Sequence, residues 1–128
     1  DPETDKILLI TSSGVGDFDP LLVNGARQPS PMTLKAGTRY RFRLIDIAAN
    51  IVYGATVSLL RDGKLITWRT LAKDGADLPP SQQRTVPSSR KVMIGETFDF
   101  EFVPEKPGQL ALAVFNSKDK IMMNVEVR

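Results

Sequence analysis

Apolar and charged residues alternate one by one in two stretches of this sequence, and each stretch begins at a glycine. The first covers residues 37–44 and the second covers residues 95–102. Side chains two positions apart lie on the same face of a β-strand, so the alternation predicts two half-buried strands. The apolar face carries Tyr40, Phe42 and Leu44 in the first strand and Phe98, Phe100 and Phe102 in the second.

The opposite faces of these two strands carry opposite charges. The first strand has Arg39, Arg41 and Arg43, and the second has Asp99 and Glu101. We expect the strands to be neighbours in one sheet, with the arginines beside the carboxylates on the solvent side and the aromatic rings together in the core. Cross-strand pairs of opposite charge contribute about 0.2–1 kcal/mol each, so they select a register more than they stabilise the fold. Arg41→Glu should then destabilise the fold modestly, and Glu101→Arg should restore part of the loss.

A β-hairpin is predicted in the middle of the chain. Residues 56–61 and 64–69 are β-patterned runs that flank Asp62 and Gly63. A two-residue Asp-Gly loop between such runs is a strong hairpin signal, because both loop residues must accept a positive φ. Further short strands are predicted at residues 6–11, 21–23, 109–115 and 123–128, of which residues 109–115 form a central strand and the last run closes the fold.

The segment at residues 71–89 is predicted to be a long connection over the surface. It contains the pair Asp74 and Gly75 and three prolines among polar residues. Long loops in compact domains are often functional or form interfaces. At most one helical turn is expected in it, at residues 81–84.

About eight short strands, frequent turns and no convincing helix indicate an all-β fold. The two glycine-opened strands occupy matched points in the two halves of the chain, which favours a Greek-key β-sandwich. The length of 128 residues fits one domain, here residues 1–128, with a core that needs no disulfides or metals. Residues 1–5 are polar and are interpreted as a linker or terminal arm, so the chain is either a mature product or a piece of a longer protein.

Composition narrows the classes of function. The net charge of +2 is small and no basic run is present, so no nucleic-acid partner is expected. No apolar run approaches the roughly 18–20 residues of a membrane-spanning helix. The sequence has no histidine and no cysteine. A Ser-His-Asp triad and a blue-copper centre are therefore excluded within this chain, and the redox compartment is left open.

The order and spacing of these elements resemble the cupredoxin-like domains of multicopper oxidases, over about residues 21–115. One residue departs from the pattern, because the family tends to have asparagine where this chain has Asp46. The matching segments are Leu22-Val23-Asn24-Gly25, Pro31, Leu34, Gly37, Tyr40-Arg41-Phe42-Arg43-Leu44-Ile45, Asp74-Gly75, Gly95-Glu96-Thr97-Phe98-Asp99-Phe100 and Pro107-Gly108 with the strand to Phe115.

The resemblance implies a particular kind of domain. Copper in this family is held by clustered histidines and one cysteine, supplied in part by the last loop of the domain. Here that loop, residues 116–122, contains no histidine and no cysteine. Residues 51–55, where a histidine-rich segment is expected, contain none either. The implied domain is copper-free and structural, like the second domain of three-domain oxidases, and it has no catalytic, cofactor or metal residues of its own. Copper would lie in flanking domains, the partners would be other cupredoxin domains of the same protein or oligomer, and the location would be periplasmic or secreted.

Two other classes remain open: a free-standing β-sandwich module that binds a carbohydrate or a protein, and a cupredoxin-type metal chaperone, which the missing histidines disfavour. The arginine face is interpreted as a solvated or salt-bridged surface, with partner docking as the alternative. Trp68 has no second aromatic residue beside it in the sequence, which favours a core or edge position over a stacking platform.

Three further patterns have plain structural explanations. Asp17 and Asp19 hint at a calcium loop, but they lack the other acidic ligands and are interpreted as turn carboxylates. A Cu(I) thioether site would use Met93, Met122 and Met123, yet strand alternation places Met123 in the core and Met122 on the opposite face. A pair of glycosidase carboxylates would have to come from the acidic residues that cluster in the sequence, which are Asp74, Asp77, Asp99 and Glu101. Asp99 and Glu101 are better explained as partners of the arginines on the neighbouring strand.

Overall fold

The computed structural model describes residues 1–14, 20–49, 51 and 53–128. Within them the chain forms short β-strands and one turn of 3-10 helix, and no helix has the length and hydropathy needed to cross a bilayer. The elements are β1 (Asp5–Ser12), β2 (Leu21–Val23), β3 (Met32–Leu34), β4 (Tyr40–Asp46), β5 (Ala55–Arg61), β6 (Lys64–Leu65), β7 (Thr67–Lys73), β8 (Ala76–Asp77), the 3-10 helix η1 (Pro80–Gln82), β9 (Thr85–Pro87), β10 (Ser89–Val92), β11 (Thr97–Phe102), β12 (Gly108–Phe115) and β13 (Lys120–Val127).

The strands form two sheets. Sheet A has the order β2-β1-β4-β11-β7-β8, with β9 also paired to β7, and sheet B has the order β10-β5-β12-β13-β3, with β6 paired to β5. Two pairs are parallel, β1 with β4 and β3 with β13, and the others are antiparallel. The prediction of an all-β sandwich is confirmed. The described residues contain thirteen strands instead of about eight, because several are only two or three residues long.

The core lies between the sheets and is rich in aromatic side chains from sheet A. The rings of Phe42 and Phe102 have centroids 6.0 Å apart, and Trp68 stacks on Phe100 at 4.2 Å. Sheet B contributes mostly aliphatic side chains, and the fully buried ones include Val57, Leu59, Leu112 and Val125. Contacts between the two sets of side chains hold the layers together by excluding water from both apolar faces.

The two glycine-opened strands, β4 and β11, are antiparallel neighbours in sheet A. Phe100 lies opposite Phe42, and Asp99 lies opposite Arg43. The predicted pairing is therefore confirmed, including the placing of the aromatic rings in one core. The positive φ of Gly37 (80°) and Gly95 (84°) lets the chain turn sharply into each strand.

The Asp-Gly hairpin is confirmed, but its second strand is shorter than predicted. Asp62 and Gly63 have φ values of 53° and 75°, and they join β5 to β6. The expectation of one strand over residues 64–69 is wrong, because the chain leaves sheet B at Ile66 and continues as β7 in sheet A. The crossing is fixed by two hydrogen bonds, from Ile66 N to Ser88 Oγ (3.1 Å) and from Ser88 N to Ile66 O (2.9 Å).

The expectation of a long surface loop at residues 71–89 is also wrong. β7 continues to Lys73, turns at Asp74 and Gly75 and returns as β8, while β9 pairs with the other part of β7. These are short edge strands, and prolines are tolerated on such edges because a missing backbone donor there breaks no interior hydrogen bond. The one helical turn of the segment, η1, begins one residue before the predicted range of residues 81–84 and overlaps it.

The N-terminal residues lie beside β4. Arg41 N donates to Thr4 O at 2.9 Å, and the terminal amine of Asp1 forms an ion pair with Asp5 at 2.9 Å. Strand β1 begins at Asp5, so it takes in the last residue of the range interpreted as a linker or arm.

Candidate functional site

Two loops meet at one end of the sandwich, one leading into β5 and one joining β12 to β13. They border a cavity of about 370 Å³. The ammonium group of Lys118 lies 5.8 Å from the centre of the Tyr53 ring, so the loops are in contact. These are the loops in which the family resemblance places copper ligands. The cavity is lined by Tyr53, Gly54, Ala55, Thr56, Lys91, Phe115, Asn116 and Ser117.

The side chains around this cavity do not fit a blue-copper site. They supply phenol, hydroxyl, amide and ammonium groups, whereas blue copper requires a thiolate and two imidazoles. In the part of the chain that the structure describes, no three His, Cys, Asp or Glu residues are grouped so that they could hold a metal ion. The nearby Lys91 and Lys118 are cations, which further disfavours binding of a metal cation here.

Hydrogen bonds and an ion pair fix the loop between β12 and β13. Asn116 Oδ1 accepts from the backbone N–H groups of Lys118 and Asp119, both at 2.9 Å. The Asp119 carboxylate binds Arg27 (Nη2 to Oδ1 2.9 Å) and accepts from Leu21 N at 2.8 Å. Its hydrogen bond to Arg27 holds the pKa of the Asp119 carboxyl below its usual range. The geometry of this loop is therefore maintained by the chain's own side chains.

The loop before β5 is packed against the backbone at Gly54. This glycine has φ +70°, and a Cβ added there would lie 2.4 Å from the carbonyl oxygen of Val92 and 2.9 Å from Met93 Sδ. No side chain larger than hydrogen fits this position without displacing the end of β10. The close approach of the two backbones defines one wall of the cavity.

Asp46 is a buried carboxyl group at the start of the same loop. Its Oδ1 accepts from Ala48 N at 2.8 Å, whereas its Oδ2 is buried and has no hydrogen-bond partner among the residues that the structure describes. Burial raises the pKa of the Asp46 carboxyl, and the charge of Glu96 raises it further. The backbone of Asp46 also binds the turn before β11, since its carbonyl accepts from Gly95 N at 2.8 Å. In the sequence the only signal for this residue is its departure from the asparagine of the family pattern.

We expect Asp46→Asn to stabilise the protein at neutral pH by about 1 kcal/mol, because a neutral amide costs less to bury than a carboxylate. The folded state holds the proton of Asp46 more tightly than the unfolded state. The Asp46 contribution to stability is therefore retained at low pH and lost as the pH rises above about 4. Urea unfolding of both proteins between pH 4 and pH 7 should show a difference that grows with pH. A difference independent of pH would contradict this role of the carboxyl group.

The outer face of sheet A carries the ladder of charges, and Asp99 is its centre. The guanidinium groups of Arg41 and Arg43 bind the Asp99 carboxylate at 2.7 and 2.9 Å. Asp99 therefore lies on the predicted outer face with the arginines, but it is only 3% exposed, so the expectation of a solvent-exposed carboxylate is wrong for this residue. Glu101 lies opposite Arg41 in register, but its nearest cation is Arg39, at 3.7 Å. Arg41 and Glu101 are thus neighbours in register, but the ion pair of Arg41 is formed with Asp99.

The interpretation of Trp68 as a core residue is confirmed, although its aromatic surroundings were missed. Trp68 is 2% exposed and stacks on Phe100, which is distant in sequence and is brought beside it by the pairing of β7 with β11. Such a buried ring is not a platform for a sugar. Within the described part of the chain, Trp68 Nε1 has no hydrogen-bond partner.

The methionine and carboxylate candidates lie on strand faces, in turns and in ion pairs with arginine. Met123 is 3% exposed and Met122 is 45% exposed on the opposite face of β13, which agrees with the predicted alternation. Asp74 Oδ1 accepts from Thr97 N at 3.0 Å in a turn. Asp77 is exposed and lies 3.9 Å from Arg41. The calcium-loop candidates, residues 17 and 19, lie outside the described residues.

Comparisons with known proteins agree on the fold. No protein-family model matches the sequence, and the search of curated proteins found no match. A crystal structure of a multicopper oxidase has 15% identity and a TM-score of 0.77 over 98% of this chain. The blue copper oxidase from Nitrosomonas europaea has 19% identity and a TM-score of 0.70 over 96%. The Cu-containing nitrite reductase from Thermus scotoductus SA-01 has 11% identity and a TM-score of 0.74 over 98%.

The chain spans 44%, 43% and 31% of the lengths of these three proteins, which is less than half of each. Their identities are low, so the likeness concerns the backbone architecture. The all-β sandwich described above has the cupredoxin-like fold that these copper proteins contain.

Proposed function

We propose that this chain is a non-catalytic, copper-free structural domain of an oxidoreductase of the multicopper-oxidase type, with residues 1–128 forming a single domain. The observation that supports this most strongly is the cavity at the end of the sandwich. The two loops that would supply copper ligands meet there, but they supply hydroxyl, amide and ammonium groups. The fold thus has the architecture of a copper domain with a donor set that does not suit copper.

The proposed role is to hold other domains in position. This chain corresponds to less than half of the length of the similar copper proteins, which leaves room in a parent protein for further domains. The partners would be other cupredoxin domains of the same protein or oligomer, and those domains would hold the copper and oxidise the substrate. A periplasmic or secreted location follows from the same proposal. A ladder of ion pairs on sheet A and a loop fixed by the Arg27–Asp119 ion pair suit a rigid spacer.

The proposal is tested first on the gene. We expect the open reading frame to encode flanking segments with His-x-His and His-Cys-His patterns. A short reading frame that encodes this sandwich alone would contradict the proposal and favour the runner-up, a free-standing binding module.

Copper loading of the purified 128-residue chain gives the second test. After incubation with Cu(II) or Cu(I) and desalting, metal analysis should find copper far below one equivalent per chain. The full-length product of the gene, treated in the same way, should retain copper. Stoichiometric copper in the isolated domain would overturn the proposal and would favour a metal chaperone.

A further inference from the structure

A second and larger cavity, of about 470 Å³, shares no lining residue with the cavity between the two loops, although neighbouring residues of β10 line both. One side of its opening is formed by β7 and β9 of sheet A, and the other side is formed by β10, an edge strand of sheet B. The cavity is lined by Phe98 and Phe100, which are 7% and 2% exposed, together with neighbouring aliphatic groups and several charged and polar side chains. The lining residues that matter for the argument are Ala72, Leu78, Arg84, Val86, Arg90 and Phe98.

A β-bulge helps to form this cavity. Asp99 of β11 pairs with Ala72 of β7, but the next residue, Phe100, pairs with Thr70. Leu71 is therefore an extra, unpaired residue on β7. An extra residue on one strand bends it and increases the local twist. The strand pair is distorted at the point where Phe98 and Phe100 border the cavity. Bulges of this kind are common beside binding sites, where they change the direction of side chains.

The charges at the opening are mostly positive and partly unpaired. Arg84 and Arg90 are exposed, and neither guanidinium has a carboxylate partner among the described residues. Lys73 forms an ion pair with Glu96 at 3.2 Å. Among the described residues that line the cavity, Asp99 is the one carboxylate, and it is already bound by two arginines outside the cavity. An anion in the cavity would therefore meet two free guanidinium groups.

Arg90 is held in place before any ligand binds. Its guanidinium lies 4.2 Å from the centre of the Phe98 ring, a cation–π contact that orients the planar group. A side chain that is already ordered loses less conformational entropy when it binds a ligand. Its N–H donors form a fixed fork that matches the two oxygens of a carboxylate.

We propose that this cavity binds a small aromatic carboxylate. The flat ring would lie among Leu78, Val86 and the Phe98–Arg90 stack, and the carboxylate would be bound by Arg84 and Arg90. The volume is within the range of about 300–1,000 Å³ that is typical of small-molecule sites, which favours a compact ligand over a peptide. This inference does not depend on the proposed structural role, and either result of the copper experiments leaves it standing.

The test uses the full 128-residue chain and 2-naphthoate as the probe. Binding is monitored through the amide chemical shifts of the protein in an NMR titration. We expect saturable binding with a dissociation constant on the order of a millimolar or lower. The shifts should concentrate at Ala72, Val86 and Phe98. The neutral analogue 2-naphthalenemethanol should bind about tenfold more weakly or worse, because it cannot accept two charge-assisted hydrogen bonds.

Variants separate the ligand site from general surface binding. Arg84→Gln, a change at an exposed residue, should raise the dissociation constant severalfold, and Arg84→Gln with Arg90→Gln should raise it about tenfold or more. Arg90→Lys keeps the charge but loses the planar fork, and it should also weaken binding. The matched control is Lys64→Gln on the distant β6, which should leave binding unchanged.

Four results would overturn the proposal. They are the absence of saturable binding up to the solubility limit of 2-naphthoate, equal binding of the neutral analogue, unchanged binding in the Arg84→Gln and Arg90→Gln double variant, and shifts centred on the cavity at the end of the sandwich. Thermal unfolding of each variant shows whether its fold is retained, and Arg84→Gln alone decides the question if the Arg90 variants unfold.

Discussion

Replacing both Arg41 and Arg43 by glutamine is expected to lower the free energy of unfolding by about 3 kcal/mol. The two guanidinium groups bind the Asp99 carboxylate at 2.7 and 2.9 Å, and Asp99 is 3% exposed. Without them a carboxylate remains buried with no opposite charge, which is the costly way to break such an ion-pair network. Chemical denaturation in urea, with wild type and variant at the same pH and salt concentration, measures the loss.

Adding Asp99→Asn to the double variant should recover at least half of the lost stability, because it removes the buried charge itself. Asp99→Asn alone should cost less than the double variant, since the side chains of Arg41 and Arg43 are 38% and 46% exposed and can be hydrated. The control is Arg39→Gln, an arginine of the same strand that is 75% exposed and should change stability by no more than about 0.5 kcal/mol. If Asp99→Asn restored nothing, packing of the arginine stems rather than charge would explain the loss.

Gly54→Ala is expected to destabilise the domain by about 3 kcal/mol, through a combination of backbone strain and steric overlap. The added methyl group would lie 2.4 Å from the carbonyl oxygen of Val92, well inside van der Waals contact, and 2.9 Å from Met93 Sδ. Met93 can move, but the backbone of β10 cannot move without disturbing its pairing with β5. Thermal and urea unfolding measure the effect.

Gly63→Ala is the matched control for this experiment. Gly63 has φ +75°, close to the +70° of Gly54, but a Cβ there would meet no heavy atom within 4 Å. Its substitution should cost about 1 kcal/mol, which is the strain of a positive φ alone. The difference between the two variants isolates the steric term. Equal losses would show that the loop before β5 yields easily and that the cavity wall is not fixed by this contact.

The parts of the fold that short-range patterns specify were predictable from the sequence. Alternation gave β4 and β11 and their core faces, and the reversed charges gave their pairing, because a one-residue slip would have placed every aromatic ring in solvent. The pair Asp62 and Gly63 gave the hairpin, since its chemistry is local. The lack of histidine and cysteine in the sequence excludes a blue-copper centre within this chain, because such a centre needs a thiolate and imidazoles.

The parts that depend on long-range contacts were not predictable in the same way. The residue pair Asp74 and Gly75 is as good a turn signal as Asp62 and Gly63. However, nothing in the local sequence shows that β7 precedes this turn and pairs with both β8 and β9. The burial of Asp99 follows from its position between two arginines and sheet neighbours, which alternation alone cannot reveal. The stacking of Trp68 on Phe100 joins residues 32 positions apart through a strand pair.

The candidate site was predictable in its position and not in its construction. The resemblance identified the two loops, and the structure brings them together around a cavity. The buried carboxyl of Asp46, the Arg27–Asp119 ion pair and the close approach at Gly54 have no local signature, because each depends on a partner in another element. The cavity beside Arg84 and Arg90 lies in the segment whose strands were missed.

The position of β13 determines when this domain can fold during synthesis. It lies inside sheet B, between β12 and the much earlier β3, and it supplies the buried side chains of Ile121, Met123, Val125 and Val127. Sheet B cannot close on a growing chain until residues up to Val127 have left the ribosome. Its antiparallel contact with β12 can form early, whereas its parallel contact with β3 must wait for a long loop to close. Until then, β3 has no partner strand in sheet B, and the nascent domain exposes backbone groups that β13 later pairs.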